Sequence, residues 1–250
     1  MPSKIEWCDE TLNPQGWGCY GPGGTPVNPQ RCSYCYAYRM ASRMLRTCEL
    51  CNQFIPHYHP EAMRKVRQWK KPRRIFWQSM GDLFHPHAPD WLIQGVLAVV
   101  EANSRHTHIF LTKNPRRLQE FNPWPPNCWV GTTVTNQADA DERIPWLLKV
   151  EAPVKFVSHE PLLGPVNVME GLPGPEKYFG AISLPFFKKQ ADYKYINWAI
   201  IGAMTGPGAV KVDACEVAAL VNEYHDAGVP VFMKNNLKSP MGRLIQEFPK

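Results

Sequence analysis

The sequence predicts an α/β domain on a parallel sheet, a full or partial (β/α) barrel, from three observations. Short apolar runs recur along the chain, helix-like stretches lie between them, and polar residues stand just after the runs. The runs are RIFWQS (74–79), HIFLT (108–112), CWVGTTV (128–134), VKFVS (154–158), WAIIGA (198–203) and VPVFM (229–233). Each is rich in β-branched or aromatic residues and continuous rather than alternating, as strands buried on both faces of a parallel sheet read. A further strand is expected near Lys4–Trp7. Strand–helix alternation favours the barrel, with an open doubly wound sheet as second choice. No Gly-x-Gly-x-x-Gly follows the first strand, which argues against a dinucleotide fold.

The helices follow from their ends. PDWLIQGVLAVVEAN starts at Pro89-Asp90 and is amphipathic. NQADADERIPWLLKV opens at Asn136 with acidic residues in its first turns, as the helix dipole favours. VDACEVAALVNEYHDAG has an acidic start and Gly228 as its stop. We read residues 1–250 as one barrel domain with a cysteine-rich metal-binding region at 1–60. Residues 165–197, with Gly171, Pro173, Gly174 and Pro175, read as an insertion.

Composition bounds the function. Hydrophobic residues make up 44% of the 250, enough for a sizeable core. The net charge of +6 allows a polyanionic partner without requiring one. No apolar run reaches the ~20 residues of a membrane span, and MPSKIEWCDE carries no signal pattern. A cytoplasmic protein is expected, where disulfides are rare. Six of the eight cysteines nevertheless fall in the first 51 residues, so metal chemistry is expected there. Cys128 and Cys215 lie in apolar settings and read as buried small hydrophobes.

Cys32 and Cys35 form C-x-x-C, a spacing that suits a zinc clip, a redox pair or an iron–sulfur cluster. Cys19, separated from Cys32 by twelve residues of a Gly/Pro loop, adds a third thiolate. A structural zinc site wants four ligands, whereas three thiolates on a four-iron cluster leave one iron open. Cys48 and Cys51 form a second C-x-x-C, followed by His57 and His59. That set reads as zinc or an auxiliary cluster, or as free thiols beside a helix start. His85 and His87 read as solvated loop histidines.

Strand ends gather polar groups at one face of a parallel barrel, where active sites form. Asp82, Lys113, Asn136, His159, Glu160, Thr205, Lys234, Asn235 and Asn236 stand there. The basic stretches RKVRQWKKPRR (64–74) and KNPRR (113–117) either track phosphates or form solvated faces; Lys113 is aimed at the barrel opening.

Cys32-Ser33-Tyr34-Cys35-Tyr36 resembles the end of the radical S-adenosylmethionine cluster motif, with a longer first gap. The wider chain resembles the phage gene-product thirty-seven/sixty-eight family through CSYCYA, WKKPRRIFWQSMGDLFHP, FLTKNPRRL, WVGTTVTNQADADERIPWL, KFVSHEPLLGPV, IIGAMTGPGAV and AGVPVFMKNNL. That family looks radical-SAM-like. The resemblance implies a [4Fe–4S] cluster on Cys19, Cys32 and Cys35. S-adenosylmethionine would be bound and cleaved reductively, with an electron donor such as ferredoxin or flavodoxin, to start radical chemistry on an unknown substrate. Ser79, Asp82, Asn136, Gly202 and Thr205 are the candidate cofactor contacts. Lys113, Glu160 and Lys234 are the candidate catalytic groups, and nucleic acid is a candidate substrate. The rival expectation is a non-enzymatic, zinc-stabilised α/β module that binds nucleic acid.

Overall fold

The structure is a computed structural model that describes residues 3–44, 47–168 and 195–249. Residues 169–194, most of the expected insertion, lie outside the described residues. Seven strands are present among the described residues: β1 (Glu10–Leu12), β2 (Arg74–Trp77), β3 (Thr107–Thr112), β4 (Cys128–Thr133), β5 (Val154–Leu162), β6 (Trp198–Ala203) and β7 (Val231–Met233). They follow one another in the sheet in chain order. That order is the one a partial (β/α) barrel uses. A doubly wound sheet would need a reversal of strand order, and there is none. The architecture is generic to parallel α/β proteins; nothing in the strand order is particular to radical enzymes.

The chain divides into two compact units. The first comprises Met1–Arg117 and Pro125–Trp129, the second Leu118–Trp124 and Val130–Lys250.

In the first unit β1, β2 and β3 pair in parallel, with Leu12 opposite Trp77 and Trp77 opposite Phe110. The first strand is Glu10–Leu12, not Lys4–Trp7. Residues 4–7 form a bend and turn instead: Ser3 Oγ accepts from the Ile5 N–H, and the Cys8 N–H donates to the Ile5 carbonyl. The apolar signal there belongs to Trp7, which packs on Phe76 at 4.7 Å. The helix Asp90–Glu101 turns Leu92, Ile93, Val96 and Val100 inward, the spacing of one helix face.

In the second unit β5, β6 and β7 pair in parallel. Trp198, Ala199, Ile200 and Ile201 of β6 are fully buried, as a central strand covered on both faces requires. The helix Gln137–Leu147 begins where expected, with Asn136 Oδ1 accepting from the Asp139 N–H at 3.0 Å. The helix Ala214–Asp226 is capped by Asp213, and Gly228 stands beyond its end at φ +70°. It buries Val217, Leu220, Val221 and Tyr224.

Two expectations change. Cys128 is buried, but Cys215 is exposed in the first turn of Ala214–Asp226, since that helix buries its 217/220/221/224 face. Neither His159 nor Glu160 follows its strand: β5 continues to Leu162, and His159 is fully buried within it. Its Nδ1 lies 3.0 Å from the Val134 carbonyl and so carries the proton, and its Nε2 lies 2.8 Å from the Tyr224 hydroxyl. No helix among the described residues is long and apolar enough to cross a membrane.

Lys155 on β5 is fully buried and donates to the Leu148 carbonyl at 3.1 Å, at the C-terminal end of Gln137–Leu147. Burial pushes its amine down from 10.5 to about 7. A folded-state value below the unfolded one means the unfolded chain binds the extra proton between those two pH values. Stability is therefore lost as pH falls from about 10.5 towards 7, and the loss levels off below that. Urea melts should show a wild-type minus Lys155→Met difference that changes across this window. A difference flat from pH 7 to 10 would show that the amine stays charged in the fold.

Candidate metal centre

Cys48, Cys51, His57 and His59 bring their ligand atoms together, all within 4.8 Å of one another. Cys48 precedes and Cys51 lies within the short helix Glu49–Asn52, which sets the two sulfurs on one side of a turn. Phe54 then adopts φ +57°, unusual for a bulky side chain. Its N–H donates to the Cys51 carbonyl, and the Ile55 N–H donates to the Leu50 carbonyl. The chain thus doubles back past the cysteines. The strain is offset by burial of Phe54 among Trp17, Ala37, Ala41, Cys51 and Met80.

The donor geometry suits a metal ion. Cys48 Sγ lies 3.1 Å from His57 Nε2, and Cys51 Sγ lies 3.5 Å from both His57 Nε2 and His59 Nε2. The two Nε2 atoms are 2.9 Å apart. Zinc bonds of about 2.0–2.3 Å in a tetrahedron give ligand–ligand edges of about 3.3–3.8 Å, close to these separations. The outer contacts fix the tautomers. His57 Nδ1 is 2.7 Å from the Ile55 carbonyl, and His59 Nδ1 is 2.6 Å from Glu61 Oε1. Both partners accept only, so both Nδ1 atoms carry the proton. Each Nε2 lone pair is then directed into the cluster, the arrangement that orients metal-binding histidines. Cys48 is pushed down to about 6, first by the Cys51 backbone N–H and further by His59 and His57, so its thiolate is available near neutral pH. Burial alone would lower His59, but Glu61 and Cys48 outweigh it and raise it.

A backing segment holds the ligand loop. The His57 N–H donates to the Gln15 carbonyl and the His59 N–H to the Pro14 carbonyl. Gly16 has φ +64°, and a Cβ there would fall 2.4 Å from the His57 ring. At Gly18 a Cβ would strike the Ile55–Pro56 backbone at 2.3–2.4 Å. Gln78, just beyond β2, fastens this segment: its Oε1 accepts from the Gln15 N–H at 3.0 Å and its Nε2 donates to the Gly16 carbonyl at 2.8 Å. The ligands were readable from cysteine and histidine spacing. Gly16, Gly18, Gln78 and Phe54 were not singled out; the glycine pair in GWGC was the available signal.

Among the described residues this Cys2His2 set is the one group of ligand atoms that converges. Cys19, Cys32 and Cys35 form no such group. Cys35 caps the helix Tyr36–Ala41, its Sγ accepting from the Tyr38 N–H at 3.4 Å. Cys19 Sγ accepts from the Gly21 N–H at 3.3 Å, and burial pushes its thiol up to about 12. The expected [4Fe–4S] cluster is therefore corrected: the converging ligand set is that of a single zinc-type ion, not a cysteine-rich cluster site. The radical enzyme, its S-adenosylmethionine and its iron–sulfur and barrel-enzyme labels are corrected with it.

The other expected residues divide between the two units. In the first, Asp82 is buried and fully engaged. Its Oδ1 accepts from Thr112 Oγ1 and the Phe84 N–H, and its Oδ2 from the Lys113 N–H and Asn114 Nδ2, at 2.7–3.1 Å. It thereby ties the loop after β2 to the end of β3. The Lys113 amine lies 5.8 Å from the Tyr34 ring centre. Burial opposes its charge, but Tyr34, Cys32, Asp82 and Cys19 hold it above its ordinary value. Ser79 Oγ donates to Asn13 Oδ1, and its carbonyl accepts from the Tyr36 hydroxyl. His85 is buried against the Gly21 carbonyl while His87 is exposed.

In the second unit, Glu160 and Lys234 pair with each other. Gly202 lies beneath them: a Cβ there would stand 3.0 Å from Lys234 Cδ and 3.3 Å from Glu160 Cγ. Asn136 is a helix cap, and Thr205 is exposed.

Two substitutions test the metal centre. Glu61→Gln should weaken zinc affinity about 10- to 100-fold, because it weakens the bond that orients His59. Gly16→Ala should weaken it as well, by displacing His57. Competition with a chromophoric chelator reads both; unchanged affinity in both variants would remove these contacts from the site.

Residues 2–240 match the family described as "Protein of unknown function (DUF5131)". No curated protein and no solved structure matches the chain. This corrects the resemblance to the phage gene-product family and its radical-SAM implication. On a match covering nearly its whole length, the chain belongs to the DUF5131 family.

Proposed function

We propose that this protein is a zinc-stabilised α/β module that binds nucleic acid through a basic face. The observation that carries the nucleic-acid part is the stretch following the metal loop. Residues 64–74 hold seven arginines and lysines, and no acidic residue occurs between Glu61 and Asp82. Arg73 and Arg74 are engaged with Glu10 and Asp9. Arg64, Lys65, Arg67, Lys70 and Lys71 are exposed. Cations concentrated in this way attract a phosphate backbone and release its counterions on binding.

Zinc has a supporting role in this reading. Bound by Cys48, Cys51, His57 and His59, it would cross-link a region with short helices and little regular structure. The gain is folding stability, because an ordered ligand set does not survive in the unfolded chain. The protein's own residues orient the ligands and hold the loop. All eight cysteines are free of disulfides, which fits a reducing compartment such as the cytoplasm.

Metal analysis of the purified protein should find zinc at about one ion per chain and no iron. Cys51→Ala should abolish it and lower the melting temperature. Duplex binding should weaken steeply with salt, and Lys70→Ala with Lys71→Ala should reduce the log–log slope by about 1.8. Iron in place of zinc would overturn the metal assignment. Absence of salt-dependent binding to DNA or RNA would overturn the nucleic-acid assignment.

A further inference from the structure

The metal loop carries a side chain that the zinc site does not use. His57 and His59 both face the cluster, and Tyr58 between them is 46% exposed. Its ring centre lies 4.7 Å from that of Trp91, which is 57% exposed, with the planes inclined at 60°. Trp91 is the second residue of Asp90–Glu101, on the side away from Leu92, Ile93, Val96 and Val100. Its neighbour Asp90 is held by Arg117. Tyr58 also acts electrostatically on Tyr20, which stands edge-on to His85 and to exposed His87. Large rings left this open in a folded chain contribute little to its core, and their faces are available to a ligand.

We propose that Tyr58 and Trp91 form a stacking platform for the unpaired bases of a single-stranded nucleic acid. The inference rests on the nucleic-acid reading above and narrows it from any polyanion to an unpaired strand. Charge complementarity selects the occupant. The exposed cations at 64–71 begin five residues after the last metal ligand, so the segment that carries Tyr58 to the platform also carries phosphate partners. Single-strand binders combine these two elements, because every base has a π-face and every nucleotide a phosphate. A base pair inside a duplex cannot offer its face to an isolated ring pair. A second copy of this chain is disfavoured as occupant, since it would bring the same cations and a net charge of +6. The metal loop positions the platform: backbone bonds to Gln15 and Pro14 hold His57 and His59, a bound ion would anchor both rings further, and Tyr58 between them is left exposed.

The test uses zinc-loaded full-length protein with a labelled oligothymidylate of about 12 nucleotides and a duplex of equal length, followed by fluorescence anisotropy. Wild type should bind the single strand more tightly than the duplex. Tyr58→Ala and Trp91→Ala should each weaken single-strand binding about 5- to 150-fold, with the salt slope and the duplex affinity unchanged. Tyr58→Phe, which keeps the ring, should bind as wild type does. Zinc content and thermal melts confirm that the variants fold.

If wild type binds with a steep salt slope but both alanine variants bind the single strand equally well, the platform is overturned and the basic face stands. If wild type binds neither probe, the nucleic-acid reading falls and the platform with it. If the variants change only the sedimentation behaviour of the protein, the rings are a protein contact and the proposal is wrong.

Discussion

Two imidazole nitrogens 2.9 Å apart, both with their lone pairs directed into one cluster, set the terms for the first unit. Ile55 and Glu61 hold the protons on the far side of both rings, so no hydrogen bond between neutral rings can join them. A cation bound there would relieve the repulsion, and the two cysteine sulfurs would supply its remaining ligands. The ring positions are imposed by contacts that do not involve the metal. Gly16 lies under one ring, backbone bonds to residues 14 and 15 fix the loop, and Gln78 fixes those residues to the end of β2. The site is thus preorganised from the sheet outward, which reduces the ordering cost that metal binding must offset.

This dependence explains the pattern of strain. Among the described residues, Phe54 and Gln78 are the non-glycine residues at positive φ, and both lie on the route from sheet to metal. Phe54 turns the chain back over the cysteines, and its ring fills the small core beneath them. Gln78 leaves β2 in a conformation that aims its amide at residues 15 and 16. Strain at such points persists where surrounding contacts over-determine the conformation. Buried apolar contacts do so for Phe54, and a two-ended amide clamp does so for Gln78.

The sheet was legible in the sequence because continuous apolar runs have few other homes. All six expected runs are strands, and the three long helices begin and end near their capping residues. The seventh strand was misplaced because Trp7 is a core residue on a turn, and burial alone does not distinguish a turn from a strand. Cys48, Cys51, His57 and His59 were legible from spacing. The three-thiolate reading of Cys19, Cys32 and Cys35 had equal support from spacing. Which group converges depends on the turn at Phe54 and the fit at Gly16 and Gly18, and neither leaves a periodic trace. Strand-end position also overstated chemistry. Asp82 spends its acceptors on its neighbours, and Glu160 and Lys234 meet each other. A polar residue in or just after a strand can serve the fold as readily as a ligand.

The basic stretch illustrates the same division between fold and surface. Arg73 and Arg74 lie where β2 begins, and both are drawn into the structure. Arg73 pairs with Glu10 and stands 5.5 Å over the Trp69 ring, while Arg74 pairs with Asp9. These pairs place cations beside the two acidic residues at the start of β1. The exposed cations between 64 and 71 have no such carboxylates following them in the chain. Exposed pairs on a solvated surface add little stability, so keeping this segment free of acid forfeits little and leaves a concentration of exposed positive charge. A surface of that kind gains most from a partner with regularly spaced phosphates. Because the segment leaves the metal loop through Glu61, the carboxylate that orients His59 is also the last acidic group before the cations begin.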